Sequence, residues 1–247
     1  MSADLATLAP RAMAPFCRAV IIGDREALHA APLEAATLRD ALDRFARGYD
    51  RPDPAALASL WSMYHLNAVI IPAVADLLCR DRILPVAAGT IGLRLDATGL
   101  PASLVLPDTG RPATAGDHGS RFDLLVRGHL APFVALLGSV APVTPRVLWS
   151  NAGTIFEWAC TTVAARALPA PKQESLALLT GRGVMLCDPS GRLAGAVRDM
   201  PDGSRERRVC CMRYRLAGCS PCDPVCPARA AATQQDASPL ASAGARL

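Results

Sequence analysis

The chain has 247 residues, a formal net charge of +4, 51% hydrophobic residues and 19% charged ones. That apolar content can build a buried core and argues against wholesale disorder. So small a net charge argues against a dedicated nucleic-acid binder. The length fits one large domain or two small ones. Lys172 is the only lysine, so nearly all the positive charge is arginine. Coding bias explains this most simply, but arginine is also the better side chain for gripping anions in a planar fork.

In chain order, residues 1–33 are rich in alanine and proline and weakly patterned, with Ala19-Val20-Ile21-Ile22 the only strand-like piece. They lack the basic start and apolar run of a signal peptide. A helix is expected from about Leu33 to Tyr49, on the spacing of Leu38, Leu42 and Phe45. Asp53 then serves as an N-cap with Pro54 at the first helical position of a second helix. That helix carries Leu57, Leu60, Trp61, Tyr64 and Val69, with a kink or break at Pro72. His65, beside Trp61 and Tyr64, reads as a packed core residue. Thr90–Asp96 alternates with period two, 97–101 supplies a turn, and Ala102–Leu106 returns, which predicts a hairpin. Residues 107–119 form a long loop, and His118 within it is given no role.

A helix over about Arg121–Leu137 is expected to break at Pro132. Thr144-Pro145 opens the longest expected helix, to about Arg166, in which Asn151 and Glu157 read as solvent-facing. A short helix near Glu174–Thr180, a strand at Val184–Cys187, a further strand at Leu193–Val197 and a turn at Asp202-Gly203 follow. The expected organisation is a weak N-terminal segment (1–33), a scaffold (34–200), a cysteine-rich segment (201–227) and a disordered tail (228–247). No apolar run approaches the ~20 residues of a membrane span. A soluble cytoplasmic protein is expected, without a transmembrane segment, and peripheral membrane association is left open. The fold class is α+β, a mainly helical scaffold with a small antiparallel sheet.

The chemistry concentrates in CCMRYRLAGCSPCDPVC, Cys210–Cys226, which holds five of the nine cysteines. In a reducing cytosol such crowding points to metal or cluster ligands rather than disulfides. Four thiolates satisfy either a [2Fe–2S] cluster or Zn²⁺. Zinc knuckles separate their paired cysteines by two residues, so the adjacent Cys210-Cys211 pair argues against zinc. Neighbouring side chains of an extended strand point to opposite faces, so the pair needs a backbone bend to share one centre. Cys17, Cys79, Cys160 and Cys187 lie in apolar surroundings and read as buried, inert thiols.

Arg207-Arg208-Val209-Cys210-Cys211-Met212-Arg213-Tyr214-Arg215-Leu216 resembles the C-terminal signature of the FhuF-type siderophore-iron reductases. Leu60–Tyr64, the hairpin, His129–Pro132 and Leu148–Ala152 are similar to family segments in the same order, so the resemblance covers roughly residues 50–227. It implies a [2Fe–2S] cluster on four cysteines. The ten-residue gap from Cys211 to Cys222 and the Cys226-Pro227 ending resemble the family and favour Cys210, Cys211, Cys222 and Cys226. The family's two-residue final spacing is met only by Cys219 and Cys222, which keeps Cys219 as reserve ligand.

The implied function is cytoplasmic reduction of a ferric siderophore. With no G-x-G-x-x-G fingerprint, electrons are expected from a separate ferredoxin- or flavoprotein-type donor. An all-thiolate cluster is anionic in both redox states, so Arg205, Arg207, Arg208, Arg213 and Arg215 would raise its potential. Arg213 and Arg215 are the candidate substrate-binding residues. In an extended segment they share one face, with Tyr214 packed behind them. The rival readings are a zinc-stabilised binding module and an iron–sulfur sensor.

Overall fold

The computed structural model describes residues 2–114, 121–165, 193, 195–219 and 225–227. The expected helix at 174–180, the strand at 184–187, His118, Cys187, Cys222 and the tail from 228 onward lie outside the described residues.

The N-terminal segment carries more structure than its weak pattern suggests. It forms α1 (Ser2–Leu8), α2 (Ala14–Arg18), β1 (Val20–Ile22) and β2 (Ala31–Pro32). Leu5, Met13 and Cys17 enter the main core from it. The order continues with α3 (Ala35–Ala46), α4 (Pro54–Arg80), β3 (Arg82–Ile83), β4 (Gly92–Leu95), β5 (Pro101–Leu106), β6 (Arg111–Pro112) and α5 (Asp123–Leu125). A π-helical turn (Val126–Leu130) leads into α6 (Ala131–Val140), followed by α7 (Pro145–Ala164), β7 (Val197–Asp199), β8 (Arg205–Arg207) and a 3₁₀ turn (Arg213–Arg215).

α3 buries Leu38, Ala41, Leu42 and Phe45, the stripe its spacing predicts. α4 starts at the predicted cap, where the Asp53 carboxylate accepts the N–H groups of Ala55 and Ala56 at 2.9 and 3.0 Å. Pro72 does not break it. The helix runs for 27 residues and ends at Asp81 in the left-handed conformation, φ 53°. By length and composition Pro54–Arg80 and Asp123–Val140 could each cross a membrane, but 72% of the apolar window of α4 is buried inside the protein. A helix that is apolar nearly all round is a core element, and α7 packs along it.

The main sheet has the order β1-β5-β4-β2. β4 and β5 form the predicted hairpin, with an irregularity at Arg94/Leu95. β1 adds in parallel to β5, in the register Val20↔Leu104, so the sheet is mixed, though mostly antiparallel. The hairpin turn is pinned to the helices. Trp61 Nε1–H donates to the Gly99 carbonyl at 2.9 Å. A Cβ on Gly99 (φ +84°) would sit 2.3 Å from the Ala41 carbonyl oxygen, so only glycine lets the turn close on α3. The expected strand at Leu193–Val197 is shifted: Val197–Asp199 pairs with Arg205–Arg207 around the predicted Asp202-Gly203 turn.

The break expected at Pro132 takes a specific form. Proline has no N–H for the Gly128 carbonyl, and that carbonyl accepts the Ala88 N–H instead, at 2.9 Å. The Ala131 N–H reaches back five residues to Val126. The helix therefore widens by one π turn rather than stopping.

Candidate functional site

Where α4 and α7 pack, the interface holds polar residues. Asn151, expected to face solvent, is fully buried, as are Ser59 and Ser62 on α4. Asn151 Nδ2 donates to the Ser59 carbonyl (3.1 Å) and lies 3.2 Å from Ser59 Oγ and 3.0 Å from Ser62 Oγ. Ser62 Oγ donates to the Ser59 carbonyl at 2.7 Å. This fixes the amide, so that Asn151 Oδ1 points the other way and accepts from Arg207 Nη2. Arg207 is 1% exposed, and neither its Nε nor its Nη1 has a hydrogen-bond partner among the described residues. A guanidinium cannot shed its charge, so burying it demands polar partners.

Four contacts dock the cysteine segment, two of them on α7. Arg208 N–H donates to the Ala196 carbonyl and Arg207 N–H to the Val225 carbonyl, both at 2.9 Å. Ser150 Oγ lies 3.5 Å from the Val209 carbonyl oxygen. Glu157, the other residue expected in solvent, is half-buried and ion-paired with Arg205. Gly153 makes the approach close enough: a Cβ there would meet the Ala196 Cβ and the Leu193 carbonyl oxygen, each at 2.7 Å. Gly153→Ala should therefore cost about 1–3 kcal/mol by overpacking. Gly138→Ala, whose new Cβ would lie an ordinary 3.7 Å from the Val143 oxygen, should be neutral or slightly stabilising. Urea unfolding of the two variants measures the contrast.

Cys211 and Cys226 are buried and Cys210 is half-buried. The Met212 N–H donates to Cys210 Sγ at 3.3 Å. Met212 itself is left-handed, φ 60°, which supplies a bend directly after the adjacent pair. Burial pushes the Cys210 thiol up; its neighbours Cys211 and Cys226 add to this, while the Met212 N–H and Arg207 oppose it. Cys210 thus lies within electrostatic reach of Cys211, Cys226 and Arg207. Among the described residues no group of three or more His, Cys, Asp or Glu side chains converges closely enough to hold a metal ion. Cys219 engages Tyr49 instead, its Sγ 3.8 Å from the Tyr49 hydroxyl. Cys17 is buried, and its thiol is pushed up to about 12 by burial and then by Cys79 and Asp76, as expected of an inert thiol. Cys160 is buried and Cys79 half-buried.

The Arg-Tyr-Arg run departs from expectation. It forms a 3₁₀ turn, not an extended segment, so Arg213 and Arg215 do not share a face by alternation. Arg215 pairs with Asp53 at 3.2 Å. Tyr214 is 54% exposed rather than packed behind the arginines. Arg213 is half-buried beside Tyr49.

A family profile described as "Ferric iron reductase FhuF-like transporter" matches residues 59–185, just over half of the chain. The chain belongs to the FhuF-like ferric iron reductase family. It is also similar to a curated protein of Escherichia coli (strain K12) named "Ferric siderophore reductase", 25% identical over 169 residues. That match covers 67% of this chain, and the chain spans 63% of the length of that relative. The residues of this FhuF-like chain that match the profile include α7 and most of α4, and they end before the cysteine segment.

A second buried polar pair lies within the profile match. His129 Nδ1–H donates to the Val86 carbonyl at 2.7 Å, so its Nε2 accepts from His65 Nε2–H at 2.9 Å. His65 stacks on Trp61 with 7° between the rings, the packed role expected of it. Burial pushes His129 down to about 4. Burial, and then His129, push His65 well below its ordinary value. Between these values and about 6.5 the unfolded chain binds more protons, so the pair's contribution to stability is lost as pH falls. His129 alone should remove about 2 kcal/mol between pH 6.5 and 4.5. Asp76 acts oppositely, because burial pushes its carboxyl up to about 6 and the fold favours its protonated form. The Asp76→Asn variant isolates the histidines: its unfolding free energy should fall more steeply on acidification than that of the unaltered protein.

Proposed function

We propose that this protein is a ferric-siderophore reductase. Cys210, Cys211, Cys222 and Cys226 would hold a [2Fe–2S] cluster, with Cys219 in reserve. The observation that carries this reading is the backbone tie between the strand leading to Cys210 and the Val225 carbonyl beside Cys226, with the Met212 N–H directed at Cys210 Sγ. Family membership supports the reaction class. The cluster, when bound, supplies one-electron chemistry. One electron from a separate ferredoxin- or flavoprotein-type donor passes to the chelated Fe(III), which becomes Fe(II). Hard oxygen ligands hold Fe(II) less firmly, and iron is released in the cytoplasm.

The chain's own residues define the site around that chemistry. The Met212 N–H bonds Cys210 Sγ, and burial shields Cys211 and Cys226 from water. Arg213, and Arg215 from its seat on Asp53, offer positive charge toward an anionic chelate. The double Arg213→Gln, Arg215→Gln variant should bind an anionic ferric chelate severalfold more weakly at 0.1 M salt. The deficit should shrink at 1 M, where the Debye length drops to about 3 Å. Chelate-binding curves at the two salt levels check this; equal binding at low salt would make these arginines a solvated face.

Anaerobic purification followed by iron, acid-labile sulfide and visible absorbance tests the cluster. A reddish protein with equal iron and sulfide is expected. A colourless protein carrying zinc would contradict the reading.

A further inference from the structure

We infer that the edge where the Arg213–Arg215 turn meets the end of α3 and the first half of α4 is a binding site for aromatic anions, and that the chelate it takes is a ferric catecholate rather than a ferric hydroxamate. This rests on the function proposed above and deepens it by naming the class of chelate. The chain has only three tyrosines, and all three lie along this edge. Tyr49 lies just past the end of α3, its hydroxyl 3.8 Å from Cys219 Sγ. Its ring meets Phe45 edge-to-face at 5.4 Å, and Phe45 meets Tyr64 of α4 in the same way at 6.1 Å. Tyr214 belongs to the turn itself, which packs on α4. Tyr64 and Tyr214 are 41% and 54% exposed, and among the described residues only Leu8 and Trp158 join them as exposed large apolar side chains. One such side chain standing singly is ordinary; a row of rings that runs from the core to water at one edge is a surface for another ring.

The same edge is cationic. The loop before α4 and the turn carry Arg47, Arg51, Arg213 and Arg215 against Asp50 and Asp53. Arg215 is seated on Asp53 at 3.2 Å, and its guanidinium carbon lies 5.9 Å from the centre of the Tyr214 ring. Arg51 adopts the left-handed region, φ 45°, uncommon for a residue with a Cβ. Its side chain is 93% exposed, 3.7 Å from Asp50. Arginine beside an aromatic ring suits a ligand that is itself flat, aromatic and negative. The ligand ring stacks on tyrosine, and the guanidinium fork takes its oxygen anions. Each catecholate is a dianion on an aromatic ring, so a fully coordinated ferric complex keeps a net negative charge. Each hydroxamate is a monoanion, so its fully coordinated ferric complex is neutral and gains little from the arginines.

Gallium(III) has the charge and nearly the size of Fe(III), and its complexes read binding without electron transfer. The full chain is titrated by isothermal calorimetry with a gallium tris-catecholate and a gallium tris-hydroxamate, each at about 0.1 and about 1 M salt. The catecholate complex should bind about tenfold or more tightly than the hydroxamate at the lower salt. Its lead should narrow at the higher salt, where the exposed arginines are screened. Tyr214→Leu and Tyr64→Leu should each weaken catecholate binding about threefold to tenfold, the worth of one aromatic contact, and leave hydroxamate binding unmoved. Tyr214→Phe keeps the ring and should bind as the unaltered protein does. Trp158→Leu removes the exposed ring of α7 and should change neither affinity. All four side chains are at the surface, so folding does not mask the result. No binding, equal affinity for the two complexes, or catecholate binding untouched by both leucine variants overturns this inference and leaves the proposed function standing. Reduced protein that passes its electron to no ferric chelate overturns the proposed function, whatever the titrations give.

Discussion

Replacing Asn151 by leucine should lower the unfolding free energy by about 3 kcal/mol or more. The volume is nearly conserved and the position is fully buried, so packing is not the main cost. The loss comes from what Asn151 connects. Its amide bridges the Ser59 carbonyl and the Ser59 and Ser62 hydroxyls on α4 to the Arg207 guanidinium. Leucine would leave a buried cation with no side-chain acceptor among the described residues, a far larger penalty than a lost neutral hydrogen bond. Ser59→Ala, by contrast, should cost only about 1 kcal/mol, because Asn151 keeps the Ser59 carbonyl and Ser62. The double variant Asn151→Leu, Arg207→Met should recover much of the loss, since removing both polar partners leaves no orphaned charge. Chemical denaturation of these proteins, together with the single Arg207→Met variant, measures this. Additive losses in the double variant would show that the two residues are not coupled.

The second large effect concerns the thiols. Single Cys→Ser changes at 210, 211, 222 or 226 should each remove most of the bound iron and the visible spectrum, while Cys17→Ser leaves both intact. Cys17 is buried in the helical core, near Cys79 and Asp76. The same series chooses between Cys226 and Cys219. Cys226 is buried and within reach of Cys210; Cys219 would have to leave the Tyr49 hydroxyl. An intact spectrum in Cys226→Ser with loss in Cys219→Ser would assign the fourth position to Cys219.

Much of the scaffold is legible where local chemistry and tertiary packing agree. Asp53-Pro54 and Thr144-Pro145 announce α4 and α7 because cap and proline act within a few residues. The β4–β5 hairpin shows in its alternation and turn residues. What stayed hidden depends on distant partners. α1 and α2 are too short and alanine-rich for a period to emerge, and β1 joins β5 only through the tertiary fold. Pro72 sits in a helix held on all sides by packing, which outweighs its local penalty. Asn151 reads as polar and therefore exposed, because nothing local reveals Arg207 56 positions later. A signal was present: Ser59 and Ser62 stand three apart on a helix otherwise apolar in that stretch, and Gly153 interrupts the bulky residues of α7. Small and polar residues inside two apolar helices mark a close, hydrogen-bonded crossing. The Arg-Tyr-Arg run departs from the extended expectation because the left-handed Met212 turns the chain directly before it.

The most direct test of the central claim is a single-turnover measurement. Anaerobically reduced protein is mixed with an excess of ferric siderophore, and with the same siderophore loaded with gallium(III) in a parallel sample. The account predicts reoxidation of the protein by the iron chelate and not by the gallium chelate, with one Fe(II) trapped by a colorimetric Fe(II) chelator for each electron lost. Reduced protein that keeps its electron in the presence of every ferric siderophore tried, or that loses it equally to the gallium chelate, would contradict it.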